Sequence, residues 1–197
     1  MKQWTVLLLV MVLFVGSCQN SNSAKSTVHN GKVSDAQNEE ELKSQAQLIV
    51  QFSSQALLGK LQKSIGEQGI AGAVDFCKLE ADAITDSLSL AFGVDIKRIS
   101  SKNRNPNNAP NSEEKKYLDQ FESEGELALP ILVKTEDRFT YFAPIRLAGG
   151  LCLNCHGKLD ESMTLEQFEH IKEMYPEDKA TGYSLGDLRG MWKITYN

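Results

Sequence analysis

The stretch Cys152-Leu153-Asn154-Cys155-His156, followed by Gly157, limits most what this chain can fold into. Two cysteines two residues apart, with a histidine directly after them, form the attachment pattern of a c-type haem. The spacing has a chemical cause. Each thiol can add across one vinyl group of the porphyrin, and two intervening residues let both sulfurs reach vinyls on one edge. His156 then turns its imidazole under the ring as the proximal iron ligand. Gly149, Gly150 and Gly157 are expected to let the backbone turn and approach the flat macrocycle without a Cβ in the way. A zinc site would need further Cys or His ligands at finger-like spacing, and the sequence has none. A thioredoxin-like dithiol would open a helix after a strand, with neither the histidine nor the flanking glycines.

The beginning of the chain predicts export. Lys2 supplies a positive start, residues 4–15 are an apolar run, and Val15-Gly16-Ser17-Cys18 closes it with small residues before a cysteine. That is a signal of secretory length, short for a membrane span. It resembles a bacterial lipoprotein signal over residues 1–17, with Cys18 lipidated as the mature N-terminus. Gln19 after that cysteine points, in the enterobacterial sorting pattern, to the outer membrane facing the periplasm. Residues 18–38 are rich in Ser, Asn, Lys and Gln and read as a flexible tether, leaving 39–197 as the folded domain.

Cysteine arithmetic follows. Of four cysteines, Cys18 goes to lipid and Cys152 and Cys155 to porphyrin, so only Cys77 is left and no internal disulfide can form. The formal net charge is −5, and loss of Lys2 with the signal makes it one unit more negative. An acidic exported domain has no electrostatic case for nucleic acid.

Apolar residues recurring at three and four predict a helix over 39–67 and a second over 70–91, parted by Gly66 and Gly69 and stopped by Gly93. Cys77 falls on the inner stripe of the second, with Val74 and Ala81. A strand is expected over 94–100, then a loop of turn formers, a short helix over 112–122, and a hairpin of strands 127–135 and 139–147 turning at 136–138. The haem loop follows directly, then a helix over 164–174 and a closing strand over 188–196. Long helices first, then an antiparallel sheet carrying a cofactor, is an α+β pattern.

One histidine leaves the sixth iron position to be filled. Spacing alone leaves Cys77, His170, His29, Met163, Met174 and Met191 as candidates. His170 lies outside the Leu165, Phe168 and Ile171 stripe and reads as solvent-facing, and the methionines read most simply as core filler. The haem carboxylates call for cations, of which Arg98, Lys102, Arg104 and Arg146 stand nearby in the sequence.

Four marks in order then carry a family resemblance: Ala73-Val74-Asp75-Phe76-Cys77, Arg98-Ile99-Ser100 leading into Arg104-Asn105-Pro106-Asn107, Tyr141-Phe142-Ala143-Pro144-Ile145 ahead of the CxxCH, and Ala180-Thr181-Gly182-Tyr183 with Gly186-Asp187 and Gly190. Over about 47–195 the chain resembles small exported c-type haem domains with a PAS-like fold, first noticed as a domain of unknown function. The resemblance implies a single covalent haem c, attached at Cys152 and Cys155 and ligated by His156. It implies Cys77 as the distal ligand and matches Arg104 among the carboxylate partners. Cys/His ligation stabilises ferric iron and implies a low potential.

Two functions of different class follow. One is low-potential periplasmic electron transfer by a membrane-tethered monohaem cytochrome with an unidentified redox partner. The other is a haem-based sensor of redox state or of a diatomic gas, acting through a separate signalling partner. With both axial positions filled, peroxidase-like catalysis is the least expected, and no hydrolase triad, phosphate loop or metalloprotease pattern is present.

Overall fold

The computed structural model describes residues 35–196. The first helix, α1 (Asp35–Leu79), starts at Asp35 and not at Glu39, so the end of the expected tether is helical. It is broken at Gly69, where φ is 72° and ψ −168°, a backbone conformation that a Cβ would strain. Beyond that break lies the expected second helix, which runs to Leu79 and resumes as α2 (Ala81–Phe92). Glu80 is irregular, but the helical bonds from Glu80 N–H to Phe76 O (2.9 Å) and from Ile84 N–H to Glu80 O (3.0 Å) bridge it. Residues 70–92 therefore form one nearly continuous rod. Gly93 ends it with φ 68°, its N–H on the Ser89 carbonyl.

Four antiparallel strands make one sheet in the order β1-β4-β3-β2: β1 (Val94–Ile99), β2 (Ile131–Lys134), β3 (Phe139–Arg146) and β4 (Leu188–Tyr196). β4, the last element, lies between β1 and β3, with Ile96 opposite Ile194 and Tyr141 opposite Ile194 on the other side. Alternation divides the residues between two faces. Val94, Ile96, Tyr141, Ala143, Trp192 and Ile194 pack with Ala46 and Ile49 of α1. Ile99, Phe142 and Met191 pack with Leu118 and Phe121 of α3 (Ser112–Glu124). Each fully buried aliphatic or aromatic side chain stabilises by about 1.5–3 kcal/mol, so the sheet is held from both sides. β2 is shorter than expected because Pro130 precedes it; Leu127 lies in a 3-10 turn (Gly125–Leu127), and Leu127 and Leu129 are exposed.

Between β3 and β4 come α4 (Gly150–His156) and α5 (Leu165–Met174), the latter opened by a Thr164/Gln167 capping box. The segment after α5 runs back along α4. Gly182 N–H bonds Gly157 O (2.8 Å), Tyr183 N–H bonds His156 O (3.0 Å), and Leu147 N–H bonds Asp187 O (3.1 Å). The helix pair, the sheet and the α4–α5 excursion give the expected α+β fold, consistent with a PAS-like arrangement. No helix of the described residues is long and apolar enough to cross a membrane.

Candidate functional site

The CxxCH residues lie on a short helix, α4, and not in a loop. Helical spacing turns Cys152 and Cys155 toward one side. Cys152 packs with Leu147, Ala180 and Tyr183, and Cys155 with Val74, Met163, Ile171 and Tyr175. Both are half-buried free thiols. Gly157 closes the helix, its N–H on Leu153 O at 2.8 Å, and a Cβ there would stand 2.6 Å from that carbonyl and against Ser162 Oγ. Its glycine is thus required by the chain's own packing, whereas Gly149 and Gly150 face open space.

His156 is fixed in one tautomer. Its Nδ1 lies 2.7 Å from the Ala180 carbonyl, which can only accept, so Nδ1–H is the donor and Nε2 keeps its lone pair. Tyr183 meets the imidazole edge-on, with ring centroids 6.3 Å apart. Burial, then the charges of Arg189 and Arg104, hold His156 well below the usual histidine range, so the ring is neutral. It lines a cavity of about 160 Å³ with Arg98, Ser100, Ile145, Arg189 and Gly190.

Cys77 comes to the same place from α1. Val74, one turn before it, shares the apolar cluster that holds Cys155. Burial pushes the Cys77 thiol up, and Arg104, Arg98 and Arg189 pull it down. Burial likewise raises Cys155, Arg104 opposes, and a negative charge on Cys77 would raise it further. Burial and then Cys77 raise the Tyr175 phenol. Cys77, Cys155, His156, Arg104 and Arg189 therefore share one neighbourhood.

The other ligand candidates within the described residues are engaged in the chain's own packing, and Met174 packs against the Cys155 cluster. His170 is not solvent-facing: it is half-buried, with Nε2 2.9 Å from Asp75 Oδ1 and Nδ1 4.0 Å from Glu173 Oε2, and it ties α5 to α1. Met191 is fully buried in the α3 side of the sheet, and Met163 fills the cluster beside Cys155. Cys18, the signal at 1–17, His29 and the tether up to residue 34 lie outside the described residues.

The cations divide sharply. Arg104 is committed to the chain: Nε donates to Asp178 Oδ1 at 3.0 Å, and Nη2 to Cys155 O at 2.5 Å and Ala180 O at 3.4 Å. Asp178 is buried and also accepts from Ala180 N–H at 3.0 Å. The pair thus grips both the CxxCH helix and the segment whose carbonyl orients His156. Arg98 pairs with Asp82 at 3.2 Å. Lys102 donates to Thr181 O at 2.7 Å and lies 4.1 Å over the Tyr183 ring. Arg146 donates to Gly186 O, Phe121 O and Gly125 O, the last two at the C-terminal end of α3. Arg189 was not among the cations singled out from the sequence, yet it stands beside His156. Its one legible signal is its place within the Gly186-Asp187 and Gly190 mark.

A helix after a strand is also where a dithiol redox pair would sit, so backbone context does not separate the two chemistries. The histidine and the third thiol do. A neutral imidazole with a free Nε2, a third thiol from α1 and an arginine whose buried Nε has no partner fit an iron porphyrin with carboxylate arms.

Comparison with known proteins agrees in kind. The family model described as Tll0287-like: Tll0287 matches residues 35–197. Among solved structures, the cyanobacterial haem protein Tll0287 matches with a TM-score of 0.51 and 25% identity, over 71% of this chain and 89% of that one. No curated protein matches.

Proposed function

This chain belongs to the Tll0287-like family, and on that premise we propose that it is a monohaem c-type cytochrome with His156 and Cys77 as axial ligands. The observation that carries the reading is the Nδ1–H bond from His156 to Ala180 O at 2.7 Å, directly after the two cysteines. It prepares the imidazole as a neutral donor through Nε2, oriented before any iron arrives. Cys152 and Cys155 would hold the porphyrin through thioether bonds, each S–H adding across one vinyl with no external oxidant. Cys77, reaching the site from α1, would supply a thiolate. Bound haem would supply an iron centre that exchanges one electron. Arg104 and Asp178 position the proximal side, and the Val74, Ile171 and Tyr175 cluster keeps water from Cys155.

The function proposed is low-potential electron transfer in the periplasmic space, by a domain tethered through lipidated Cys18 and serving an unidentified redox partner. An anionic sulfur donor and a neutral nitrogen donor filling both axial positions suit a carrier better than a catalyst. Haem staining after acid-acetone extraction and denaturing electrophoresis tests the cofactor. Stain should stay with the wild type and vanish from the Cys152→Ala/Cys155→Ala variant; colour that extracts freely from the wild type would overturn the reading. Labelled palmitate should enter the wild type and not Cys18→Ala, and equal labelling of both would remove the anchor.

A further inference from the structure

Arg189 is a cation that the chain leaves unmatched. Its Nε is buried and has no hydrogen-bond partner. Nη1 donates to Ser100 Oγ at 2.9 Å and to Lys102 O at 3.3 Å, and the guanidinium lies 5.9 Å over the Tyr183 ring; none of these partners is an anion. Arg98 has Asp82, Arg104 has Asp178, and Arg146 has the carbonyls at the end of α3. Among the described residues no carboxylate forms an ion pair with Arg189. Taking a guanidinium out of water without an anion costs several kcal/mol. The side chain is nevertheless held still: Ser100 Oγ accepts from Nη1 while donating to Arg189's own carbonyl at 2.7 Å. An orphaned, pre-oriented cation of this kind is half of an ion pair.

The position names the other half. Arg189 lines the cavity that His156 faces. It also walls a larger hollow of about 340 Å³ whose lining carries both signs, Lys102 and Lys115 with Asp119, Glu122 and Asp187. The lining of the His156 side holds no carboxylate, and an arm entering there meets Asn103 and the Arg189 guanidinium. We infer that Arg189, not Arg104, receives a carboxylate arm of the haem, at the junction of β1's end and β4's start. This rests on the haem reading above.

The test uses the haem-loaded full chain. Arg189→Gln should keep its covalent haem, shift the propionate bending band in the resonance Raman spectrum, and lower the midpoint potential, because a positive charge that favours ferrous iron is gone. Arg189→Lys should restore most of both. In the haem-free chain made by Cys152→Ala/Cys155→Ala, Arg189→Met should melt no lower than its parent, since it relieves an orphaned charge; in the haem-loaded chain it should melt lower. An unmoved band in Arg189→Gln overturns the inference while leaving the haem reading intact. So does equal destabilisation of both forms by Arg189→Met, which would mean a structural role alone. If inorganic phosphate or acetate stabilises the haem-loaded wild type but not Arg189→Gln, a free anion occupies the site, and the inference also falls. A wild type without covalent haem overturns the haem reading itself.

Discussion

Cys77 carries the sharpest consequences at the scale of single residues. With a thiolate and an imidazole on the iron, the ferric protein should be low-spin with the electron paramagnetic resonance pattern of thiolate ligation. Cys77→Ser should lose that pattern and turn high-spin or take up water. Its potential should rise, because an anionic donor that favoured ferric iron is gone; each 1.4 kcal/mol of lost preference is about 60 mV for one electron. Cys77→Met should raise it as well, since a thioether favours ferrous iron. A ferric spectrum unaltered by Cys77→Ser would remove the ligand assignment. His156 gives a second residue-scale prediction, in the haem-free Cys152→Ala/Cys155→Ala chain. Its folded pKa lies below its unfolded value of 6.5, so the unfolded chain binds the proton first as pH falls. Stability is then fully present above pH 6.5 and declines below it, by at most about 1.4 kcal/mol per pH unit from this one group. Replacing His156 with Gln should flatten that part of a urea-denaturation profile. Asp178→Asn belongs here too: removing one partner of a buried pair that clamps Cys155 O and Ala180 N–H should cost about 3–5 kcal/mol by chemical denaturation.

Among the elements, the rod that brings Cys77 to the site depends on the break at Gly69. Space around Gly69 is open, so a Cβ there meets no neighbour, but φ 72° with ψ −168° is a region that only glycine adopts without strain. Gly69→Ala should lower stability by about 1–3 kcal/mol, or let the helix straighten and displace Cys77; a broadened thiolate resonance signal beside a lowered melting point would report the second. Asn111→Ala should cost about 1 kcal/mol, since its side chain bonds Glu113 N–H and Glu114 N–H at the start of α3. These positions were legible because helix ends are written locally, in glycines and capping residues. β4 was legible as a closing strand. The break at Glu80, the shortened β2 and the helical form of α4 were not. Glu80 carries no breaking signal, and α4 has two leading glycines and too few residues for a period to show. His170 looked solvent-facing because its partner, Asp75, comes from another helix. Arg189 was missed for a different reason. An arginine without an anion looks, in a sequence, like any other arginine.

For the whole molecule the question is whether the site keeps both axial donors through a redox cycle. A carrier keeps them, so little has to reorganise when the electron moves; a gas sensor must release one. The chain around Cys77 is fastened on two sides of that residue. Asp75 meets His170 at 2.9 Å, and Lys78 Nζ donates to Met174 O at 2.5 Å, both reaching α5. Contacts of this kind near the surface contribute only about 0–1 kcal/mol each. The larger hold is apolar: Val74 against Ile171, which is fully buried, and Tyr175. A cysteine on a rod packed in this way has little freedom to swing off. Ferric and ferrous spectra of the wild type should therefore both be six-coordinate and low-spin, and CO should bind slowly or not at all. Ile171→Ala loosens α5 against α1 at a cost of about 2–4 kcal/mol. It should speed CO binding several-fold in stopped-flow traces while leaving the covalent haem in place. A wild type whose ferrous form is five-coordinate and takes up CO at once would instead favour the sensor, because Cys77 would then be a ligand built to leave.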